Sequence, residues 1–239
     1  MSKPELIAGR LIQSIDRTQN IRSFRFAPDK KIDFAAGQFL RVIFDEHNRD
    51  NKELNKYLSF SSSPTKDYVE VTKRLSDSKF SGRLRELKPQ DKVMFEAPLG
   101  SCIFKEEYKA IGFLIGGIGI TPVISIIEYV AEKRLDTDIL LIYSNRTEDD
   151  ISFKKELDYF SGINKNVKII YLVTDCQPKD KRCIFGRIDR ELLSENINQL
   201  CGRMVFIFGP PKMVETIKEL SIASGCEKEN IKTESFIGY

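Results

Sequence analysis

Hydrophobic and polar residues alternate along the first hundred positions of the chain. Phe24 and Phe26 flank Arg25, and residues 69–71 repeat the pattern as two valines around a glutamate. This two-residue period is typical of half-buried β-strands. Proline and glycine divide the segment into about six strands, and only residues 80–87 have helical spacing. The pattern predicts a six-stranded antiparallel Greek-key barrel.

After about residue 108 the pattern changes to a regular alternation of apolar strands and longer amphipathic helices. The predicted strands cover residues 110–116, 139–143, 167–174, 204–208 and 232–236. The first predicted helix ends near residue 133, and the three later helices cover about residues 151–160, 189–196 and 210–224. Such alternation is typical of a parallel sheet covered on both faces. We therefore predict a barrel domain at residues 1–106, followed by a parallel α/β nucleotide-binding domain at residues 107–239.

The glycine-rich stretch at residues 116–122, GGIGITP, joins the first strand and helix of the second half. Thr121 is a good N-cap and Pro122 suits the first helical position. Glycines before a helix allow a phosphate to approach the free N–H groups of its first turn. The stretch lacks both the G-x-G-x-x-G order of the dinucleotide fingerprint and the Gly-Lys-Ser/Thr of a P-loop. It predicts a pyrophosphate site, although glycines also occur in such turns for steric reasons alone.

Two further strand ends in the second half carry residues suited to a ligand. In a parallel sheet, ligands bind at the carboxyl ends of the strands, so residues 144–146 and 209–211 should lie near the glycine stretch. The second segment, Gly-Pro-Pro, predicts another helix N-terminus facing the ligand. Arg146 offers a planar donor fork for a phosphate or a surface for an adenine ring, unless it is a solvated loop residue.

Composition and charge narrow the class of protein. Hydrophobic residues make up 41% and charged residues 31% of the 239 positions, and the net charge is +3 with both signs interspersed. No basic stripe indicates a nucleic-acid partner. No signal peptide is evident, and the most apolar run, residues 111–120, is too short to span a bilayer. We expect a cytoplasmic protein with no nucleic-acid partner and no membrane span.

The histidine and cysteine content excludes several kinds of catalytic centre. His47 is the only histidine, which rules out a histidine-based triad and a multi-histidine metal site. The five cysteines are scattered, with no C-x-x-C pair, so an iron–sulfur centre is not expected and a reducing compartment is the simpler interpretation. No metal site is predicted.

Four motifs in order give the chain a family resemblance. They are LSFSSSP at residues 58–64, GGIGITP at 116–122, FGPPKM at 208–213 and ESF at 234–236. Together, after a β-barrel and within an α/β domain, they resemble the ferredoxin–NADP reductase superfamily of flavin oxidoreductases. The resemblance implies FAD in the barrel, NADPH or NADH in the second domain, and hydride transfer from the nicotinamide to flavin N5 where the two meet.

The resemblance assigns flavin-binding roles to residues of the barrel. Ser59 would donate a hydrogen bond toward flavin N5 or O4, Lys56 would hold the flavin phosphate, and Ser81 would meet the pyrophosphate. The backbone of the strand at residues 71–73 would line the flavin. The complete flavin set is Lys56, Tyr57, Leu58, Ser59, Phe60, Ser61, Ser62, Val71, Thr72, Lys73 and Ser81.

The second half receives nucleotide-binding and catalytic roles in the same way. Glu234 would assist proton movement, and the Phe236 ring would lie against the isoalloxazine, unless Tyr239 takes that place. Ser59, Glu234 and Phe236 are thus the expected catalytic residues. The nucleotide-binding set is Gly117, Gly119, Thr121, Pro122, Ser144, Asn145, Arg146, Phe208, Gly209, Pro210 and Met213.

Four positions depart from the family pattern, and one of them is Ser78, where a glycine is common. Lys56 replaces an arginine, which keeps the charge and loses bidentate geometry. Leu58 replaces an aromatic residue, which removes a stacking partner for the flavin. Phe208 replaces a cysteine, and its ring would stack on the nicotinamide or obstruct it.

The expected function is that of an NAD(P)H-dependent flavoprotein oxidoreductase that passes electrons to a protein acceptor such as ferredoxin, flavodoxin or an oxygenase component. Residues 144–146 are compatible with a 2′-phosphate, which favours NADPH over NADH. Two alternatives stay open. One is a reductase of free flavin, which the loss of the aromatic at Leu58 would suit, and the other is a non-catalytic module that senses nucleotide or redox state.

Overall fold

The computed structural model describes residues 3–236, apart from the side chains of residues 197 and 198. The chain forms two compact units. The first contains the chain up to Phe104 together with Thr121–Tyr129, and the second contains Lys105–Ile120 and the chain from Val130 onward. Compactness does not test which segments fold independently, so the division at residues 106/107 stays a prediction.

The first unit is a sheet of six antiparallel strands. They are β1 (Glu5–Asp16), β2 (Ile21–Pro28), β3 (Phe39–Ile43), β4 (Asn55–Ser59), β5 (Val69–Arg74) and β6 (Lys92–Leu99), in the order β4-β3-β6-β1-β2-β5. Helix α1 (Lys79–Glu86) lies between β5 and β6 in the chain. A bridge between Phe60 and Val71 joins the two edges of the sheet. The nearly closed, six-stranded barrel confirms the predicted fold of this half.

Aromatic rings fill the interior of the barrel. Phe26 and Phe95 meet edge to face with centroids 5.0 Å apart, and Phe34 and Phe60 stack at 3.8 Å. All four side chains are buried. Aromatic pairs of this kind stabilise a core by about 0.5–1.5 kcal/mol beyond the burial of their area, so the barrel has a well-packed centre.

The second unit is a six-stranded parallel sheet with helices. Its strands are β7 (Ala110–Gly116), β8 (Asp138–Asn145), β9 (Val167–Val173), β10 (Cys183–Phe185), β11 (Met204–Gly209) and β12 (Ile231–Ser235), in the order β10-β9-β8-β7-β11-β12. The helices are α2 (Ile120–Glu132), α3 (Lys154–Ile163), α4 (Arg190–Leu200) and α5 (Pro211–Ala223). The predicted parallel α/β fold is confirmed.

Strand β10 is the element that the sequence pattern misses. It is only three residues long and pairs with β9 at the edge of the sheet. Ile184 and Phe185 are about half exposed, at 49% and 52%. A strand this short contains too few residues to show a period, so it cannot be distinguished from a loop by pattern.

Two helices begin at positions that differ from the prediction. A 3₁₀ turn at Gly117–Gly119 leads directly into α2 at Ile120, so Thr121 and Pro122 lie inside the first turn and Thr121 is not the N-cap. Gly117 has φ +53°, which lets the chain turn before the helix. Helix α3 starts at Lys154 and not near 151, because Phe153 before it is in the left-handed region.

Within residues 3–236, none of the helices is both long and apolar enough to cross a lipid bilayer. Nor does that part of the chain gather three or more His, Cys, Asp or Glu side chains into a group able to hold a metal ion.

Candidate functional site

Strand β4 presents the first residues of the predicted flavin motif on alternating sides. Lys56 pairs with Val42 and Leu58 with Leu40, and both partners are buried in the barrel core. Directly paired residues point to the same side of a sheet. Lys56 and Leu58 therefore share the side of β4 that faces the interior, at the edge where β4 approaches β5.

Ser59 at the end of β4 is 4% exposed. Its backbone pairs with Phe39, while its hydroxyl makes no hydrogen bond to another described residue. The hydroxyl is thus available as a donor to a ligand. Tyr57 lies on the same side of β4 as Ser59, opposite to Lys56 and Leu58, and is 60% exposed, with the Arg41 guanidinium 5.4 Å from its ring centroid.

Two lysines meet at the edge between β4 and β5. The Lys73 ammonium is largely buried, and this burial lowers its pKa, with the charge of Lys56 lowering it further. Neither lysine forms an ion pair within the part of the chain that the structure describes. Two like charges held together without a counterion create a site that favours a phosphate.

The serine-rich segment after β4 is fixed by a buried carboxylate on β5. Glu70 Oε1 accepts a hydrogen bond from the Ser61 hydroxyl at 3.0 Å, and the Glu70 N–H donates to Ser62 Oγ at 2.9 Å. Arg17 and Arg25 form ion pairs with the same carboxylate at 3.1 and 2.7 Å. Glu70 is only 2% exposed, so the segment is attached to β5 by a shielded network.

Helix α2 contacts the same segment within the first unit. The Ser125 hydroxyl donates to the Ser62 carbonyl at 2.7 Å, and the Ser63 N–H donates to the Glu128 carboxylate at 2.7 Å. Lys66 forms an ion pair with that carboxylate at 3.2 Å. The predicted flavin-binding loop therefore has polar contacts on both sides.

Other predicted flavin residues are used within the fold. The Phe60 and Val71 side chains lie in the barrel core, so these residues can offer a ligand only their backbone. Thr72 Oγ1 lies 2.6 Å from Ser23 Oγ and 2.7 Å from Ser61 Oγ. Ser81, fully buried at the start of α1, shares its hydroxyl with a neighbouring cluster of serines, Ser76 and Ser78.

In the second unit, the glycine turn after β7 combines one open and one crowded position. A Cβ on Gly117 would meet nothing within 4 Å, whereas one on Gly119 would lie 2.7 Å from the Phe208 carbonyl oxygen. Tyr143 supports the turn, because its hydroxyl donates to the Gly117 carbonyl at 3.0 Å. The backbone at Gly117 is thus accessible to a phosphate, while Gly119 allows the turn to pack against β11.

The loop after β11 lies against this turn. A Cβ on Gly116 would clash with Met213 Sδ and lie 3.4 Å from Pro210 Cδ. Pro210 is the N-cap of α5, whose first residue is also proline. Gly209, Pro210 and Met213 are therefore brought close to the glycine turn, as expected for parallel strands that end at the same edge.

Three side chains of the second unit have buried polar atoms without partners among the described residues: Asn145, Ser152 and Glu234. Asn145, 6% exposed at the end of β8, has neither its Nδ2 nor its Oδ1 atom hydrogen-bonded to any described residue. Glu234 on β12 likewise leaves Oε2 unpartnered, and burial raises the pKa of its carboxyl group to about 7. Buried polar groups are usually paired, so Asn145 and Glu234, which lie at or near the carboxyl ends of β8 and β12, indicate a ligand that supplies the missing partners.

The neighbours of Asn145 are more exposed. Ser144 is half-buried and Arg146 is exposed, and the Arg146 carbonyl accepts a hydrogen bond from the Asp175 N–H at 2.8 Å. An acidic run, Glu148–Asp150, follows in the chain. Because it is exposed, the Arg146 side chain is accessible to a ligand at this strand end.

The aromatic residues at the ligand-binding end of the second unit differ in whether their rings can contact a ligand. Phe208 is fully buried, with its ring against Phe206 at 5.7 Å and Phe236 at 6.5 Å between centroids, so it cannot present a face to a nicotinamide. Phe236 is half-buried, and its N–H donates to the Gly209 carbonyl at 3.0 Å. Tyr239 lies outside the described residues.

Sequence reasoning did not find the side-chain contribution of Lys73 or the role of Glu70. Lys73 was expected to contribute only its backbone, because its approach to Lys56 depends on how the two edge strands of the barrel, β4 and β5, come together. Glu70 lies between two core valines and has the pattern of a solvent-facing residue. Arg17, just after β1, and Arg25 on β2 were the available signal for its burial.

Comparison with known proteins identifies both halves. Residues 8–104 match the family described as oxidoreductase FAD-binding domain, and residues 113–219 match the oxidoreductase NAD-binding domain. An NADH-cytochrome b5 reductase 2 of Mycosarcoma maydis is 28% identical over 82% of this chain and 57% of its own length. One of Meyerozyma guilliermondii is 28% identical over 98% of this chain and 82% of its own.

A solved structure has the same fold. The ferredoxin NADP⁺ reductase from Neisseria gonorrhoeae, with bound FAD and NADP, superposes with a TM-score of 0.82 at 20% identity, over 98% of this chain and 99% of that one. This chain thus spans a little more than half of the Mycosarcoma maydis relative and nearly all of the Neisseria protein. With both domain families present in order, the chain belongs to the ferredoxin–NADP reductase superfamily of flavin oxidoreductases.

Proposed function

We propose that this protein takes electrons from a reduced nicotinamide dinucleotide onto FAD and delivers them to an electron-carrier protein. The observation that carries the proposal is that the ammonium groups of Lys56 and Lys73 lie close together without a counterion, beside the loop that follows β4. A half-buried like-charge pair is unfavourable by itself and is stabilised by a phosphate group. The first unit therefore has the electrostatics that a flavin nucleotide requires.

The roles of the chain's own residues follow from their placement. Lys56 and Lys73 bind the phosphate, and the Ser59 hydroxyl donates to the N5/O4 edge of the flavin ring. Glu70 keeps the serine loop in position through Ser61 and Ser62. When bound, FAD accepts two electrons from a reduced nicotinamide and releases electrons onward.

The second unit binds the nicotinamide dinucleotide. Gly117 exposes its backbone to the pyrophosphate, and Asn145 offers an amide donor and acceptor to a sugar or base. Glu234 holds a proton near neutral pH, because burial raises its pKa to about 7. Such a group can give or take a proton when the charge of a bound ligand changes.

The proposed electron donor is NADH, although the sequence of residues 144–146 predicts a preference for NADPH. The curated relatives at 25–32% identity are named NADH-cytochrome b5 reductases. The ratio of kcat/KM for NADH and NADPH tests this proposal, and a ratio in favour of NADPH would overturn it.

The proposed acceptor is a haem protein of the cytochrome b5 type. The names of the relatives support it, whereas ferredoxin, flavodoxin and an oxygenase component remain predictions without such support. The test adds NADH and catalytic amounts of the purified protein to each oxidised carrier and follows carrier reduction spectrally. Reduction of cytochrome b5 at least tenfold faster than of ferredoxin or flavodoxin supports the proposal, and the reverse order rejects it.

Binding of three flavins tests the phosphate assignment. Lys73→Gln should weaken FAD and FMN binding about tenfold or more and leave riboflavin binding unchanged, since riboflavin has no phosphate. Lys92→Gln, on the exposed start of β6, is the matched control. An equal loss for all three flavins would show that Lys73 acts on the fold and not on a phosphate.

A second function, reduction of free flavin, is favoured by one observation. Leu58 packs partly against the barrel core where the family has an aromatic residue, so the flavin ring loses a stacking partner. Gel filtration of the FAD-loaded protein distinguishes the two functions. Flavin that elutes with the protein supports the prosthetic-group proposal, and flavin that elutes separately while NADH oxidation depends on added flavin supports the alternative.

A further inference from the structure

Two cysteines that are distant in sequence meet in the second unit. Cys201 directly follows α4, and Cys226 lies in the turn between α5 and β12. Their Sγ atoms are 2.8 Å apart, although 25 positions separate them along the chain. A disulfide bond is about 2.0 Å long, so less than 1 Å of movement separates the two thiols from bonding distance.

The backbone holds both sulfurs in place. Gly202, with φ +92°, follows Cys201, and Gly225, with φ +103°, precedes Cys226. The Cys226 N–H donates to the Ser221 carbonyl at 3.0 Å, which closes the end of α5. Because each cysteine is part of a helix ending closed by a glycine, the two thiols meet in a defined geometry.

The two thiols differ in access to solvent. Cys226 is 6% exposed within a hydrophobic cluster of the sheet and its helices, and Cys201 is half-buried against the same cluster. Burial raises the pKa of the Cys226 thiol to about 12. An oxidant from solution therefore reaches Cys201 first, and Cys226 is the resolving thiol.

We propose that Cys201 and Cys226 form an oxidation site at which a peroxide produces an intramolecular disulfide. Cys201 Sγ attacks one oxygen of hydrogen peroxide, and the O–O bond breaks. That oxygen stays on Cys201 as a sulfenic acid, and the other oxygen departs as water. Cys226 Sγ then attacks that sulfur, an S–S bond forms, and the sulfenic oxygen leaves as a second water. The two thiols lose two electrons and two protons in total, and hydrogen peroxide gains them.

The disulfide would link the turns that precede β11 and β12. The predicted ligand residues of these strands, Gly209 and Glu234, lie at or near the opposite, carboxyl ends. The bond closes a loop of moderate length, so it should raise the Tm by roughly 5–10 °C. Binding of nucleotide and flavin should change less than twofold, which makes this proposal independent of the proposed function.

Thiol counting on the wild-type protein is the direct test. The purified protein is treated with hydrogen peroxide, then denatured and alkylated with iodoacetamide, and its intact mass is measured. We expect three alkylated cysteines instead of five, with a peptide that links Cys201 to Cys226, and return to five after dithiothreitol. Five alkylated thiols, a different pairing, a bond between chains, or stable sulfinic acid would overturn the proposal.

Variants make the test specific. Cys201→Ala, at the half-buried position, should abolish both the disulfide and the oxidant-dependent rise in Tm. Cys183→Ala, on β10, is the matched control and should keep both. If the Tm rises equally in the oxidised Cys201→Ala protein, the stabilisation does not come from this pair and the proposal is wrong.

Discussion

Glu234 carries a carboxyl group that the fold buries while its Oε2 atom has no partner among residues 3–236. Burial raises its pKa from the ordinary 4.5 to about 7. Between these two values the folded protein keeps a proton that the unfolded chain has lost. The resulting stability is therefore fully present below pH 4.5 and is lost as the pH rises through 7, by at most about 3 kcal/mol.

The first prediction concerns Glu234→Gln. Because glutamine does not titrate, the variant should keep its Tm between pH 5 and 8, while the wild type loses several degrees relative to it over that range. Thermal unfolding at closely spaced pH values measures the difference. Glu229→Gln, at an exposed position before β12, is the control and should follow the wild type. Parallel curves for the wild type and Glu234→Gln would contradict the assignment.

The second prediction concerns the exposed Arg146. If NADH is the donor, Arg146→Ala should change kcat/KM for NADH less than threefold, because no 2′-phosphate is present to lose a contact. If the donor were NADPH, the same change should lower kcat/KM for that nucleotide about tenfold or more. Steady-state rates with both nucleotides, with Lys181→Ala on an exposed loop as control, decide between them.

At the scale of elements, the hydrophobic pattern predicted the regular strands. It did not predict the burial of a side chain that another element covers. The alternation around residues 24–26 predicted the barrel strands, and the apolar runs predicted β7, β8, β9 and β11. The same alternation gave Glu70 an exposed position, but the serine loop and two arginines enclose it at 2% exposure. Burial of this kind depends on contacts between segments that are distant in sequence, and local alternation of residues gives no information about such contacts.

The third prediction follows from that network on β5. Glu70→Gln removes the charge that two arginines pair with, so we expect a loss of about 3 kcal/mol of stability and weaker FAD binding, because the Ser61 hydroxyl loses its bond to a carboxylate. Glu96→Gln, which pairs with Arg41 at 3.7 Å in a more exposed place, is the control and should cost less than about 1 kcal/mol. Chemical denaturation and flavin titration measure both effects, and equal behaviour of the two variants would contradict the role of Glu70.

The fourth prediction separates the two functions of the glycine turn. Gly119→Ala places a Cβ against the backbone of Phe208, so it should destabilise the second unit by about 1–3 kcal/mol. Gly117→Ala meets open space and only an unfavourable φ, so it should cost about 1 kcal/mol and instead raise KM for the nucleotide severalfold. Tm and KM for each variant check this, and a larger Tm loss for Gly117→Ala would contradict it.

The start of α2 shows how residue preference and element geometry differ. Thr121 and Pro122 have the chemistry of a helix start, yet the 3₁₀ turn at Gly117–Gly119 begins the helical path earlier. Flexible glycines allow this tighter turn, and nothing in their spacing indicates where it begins. The motif was located correctly, while the first residue of the helix was not.

At the scale of the whole molecule, the order of the motifs contained more information than any single one. Four segments across residues 58–236 predicted two domains of one superfamily, and the family models and the fold confirm that assignment. The meeting of Cys201 and Cys226 was not predictable, because 25 residues and a complete strand–helix unit lie between them. Pairs of this kind depend on how α4 and α5 end, and only the folded chain shows it.

The central claim is that this protein transfers electrons from a nicotinamide dinucleotide to FAD. The most direct measurement mixes the FAD-loaded protein with NADH, and separately with NADPH, in an anaerobic stopped-flow instrument and follows the yellow flavin absorbance. We expect rapid bleaching that goes to completion, with NADH faster than NADPH. A protein that takes up no FAD, or a bound flavin that stays oxidised with both nucleotides, would contradict the account.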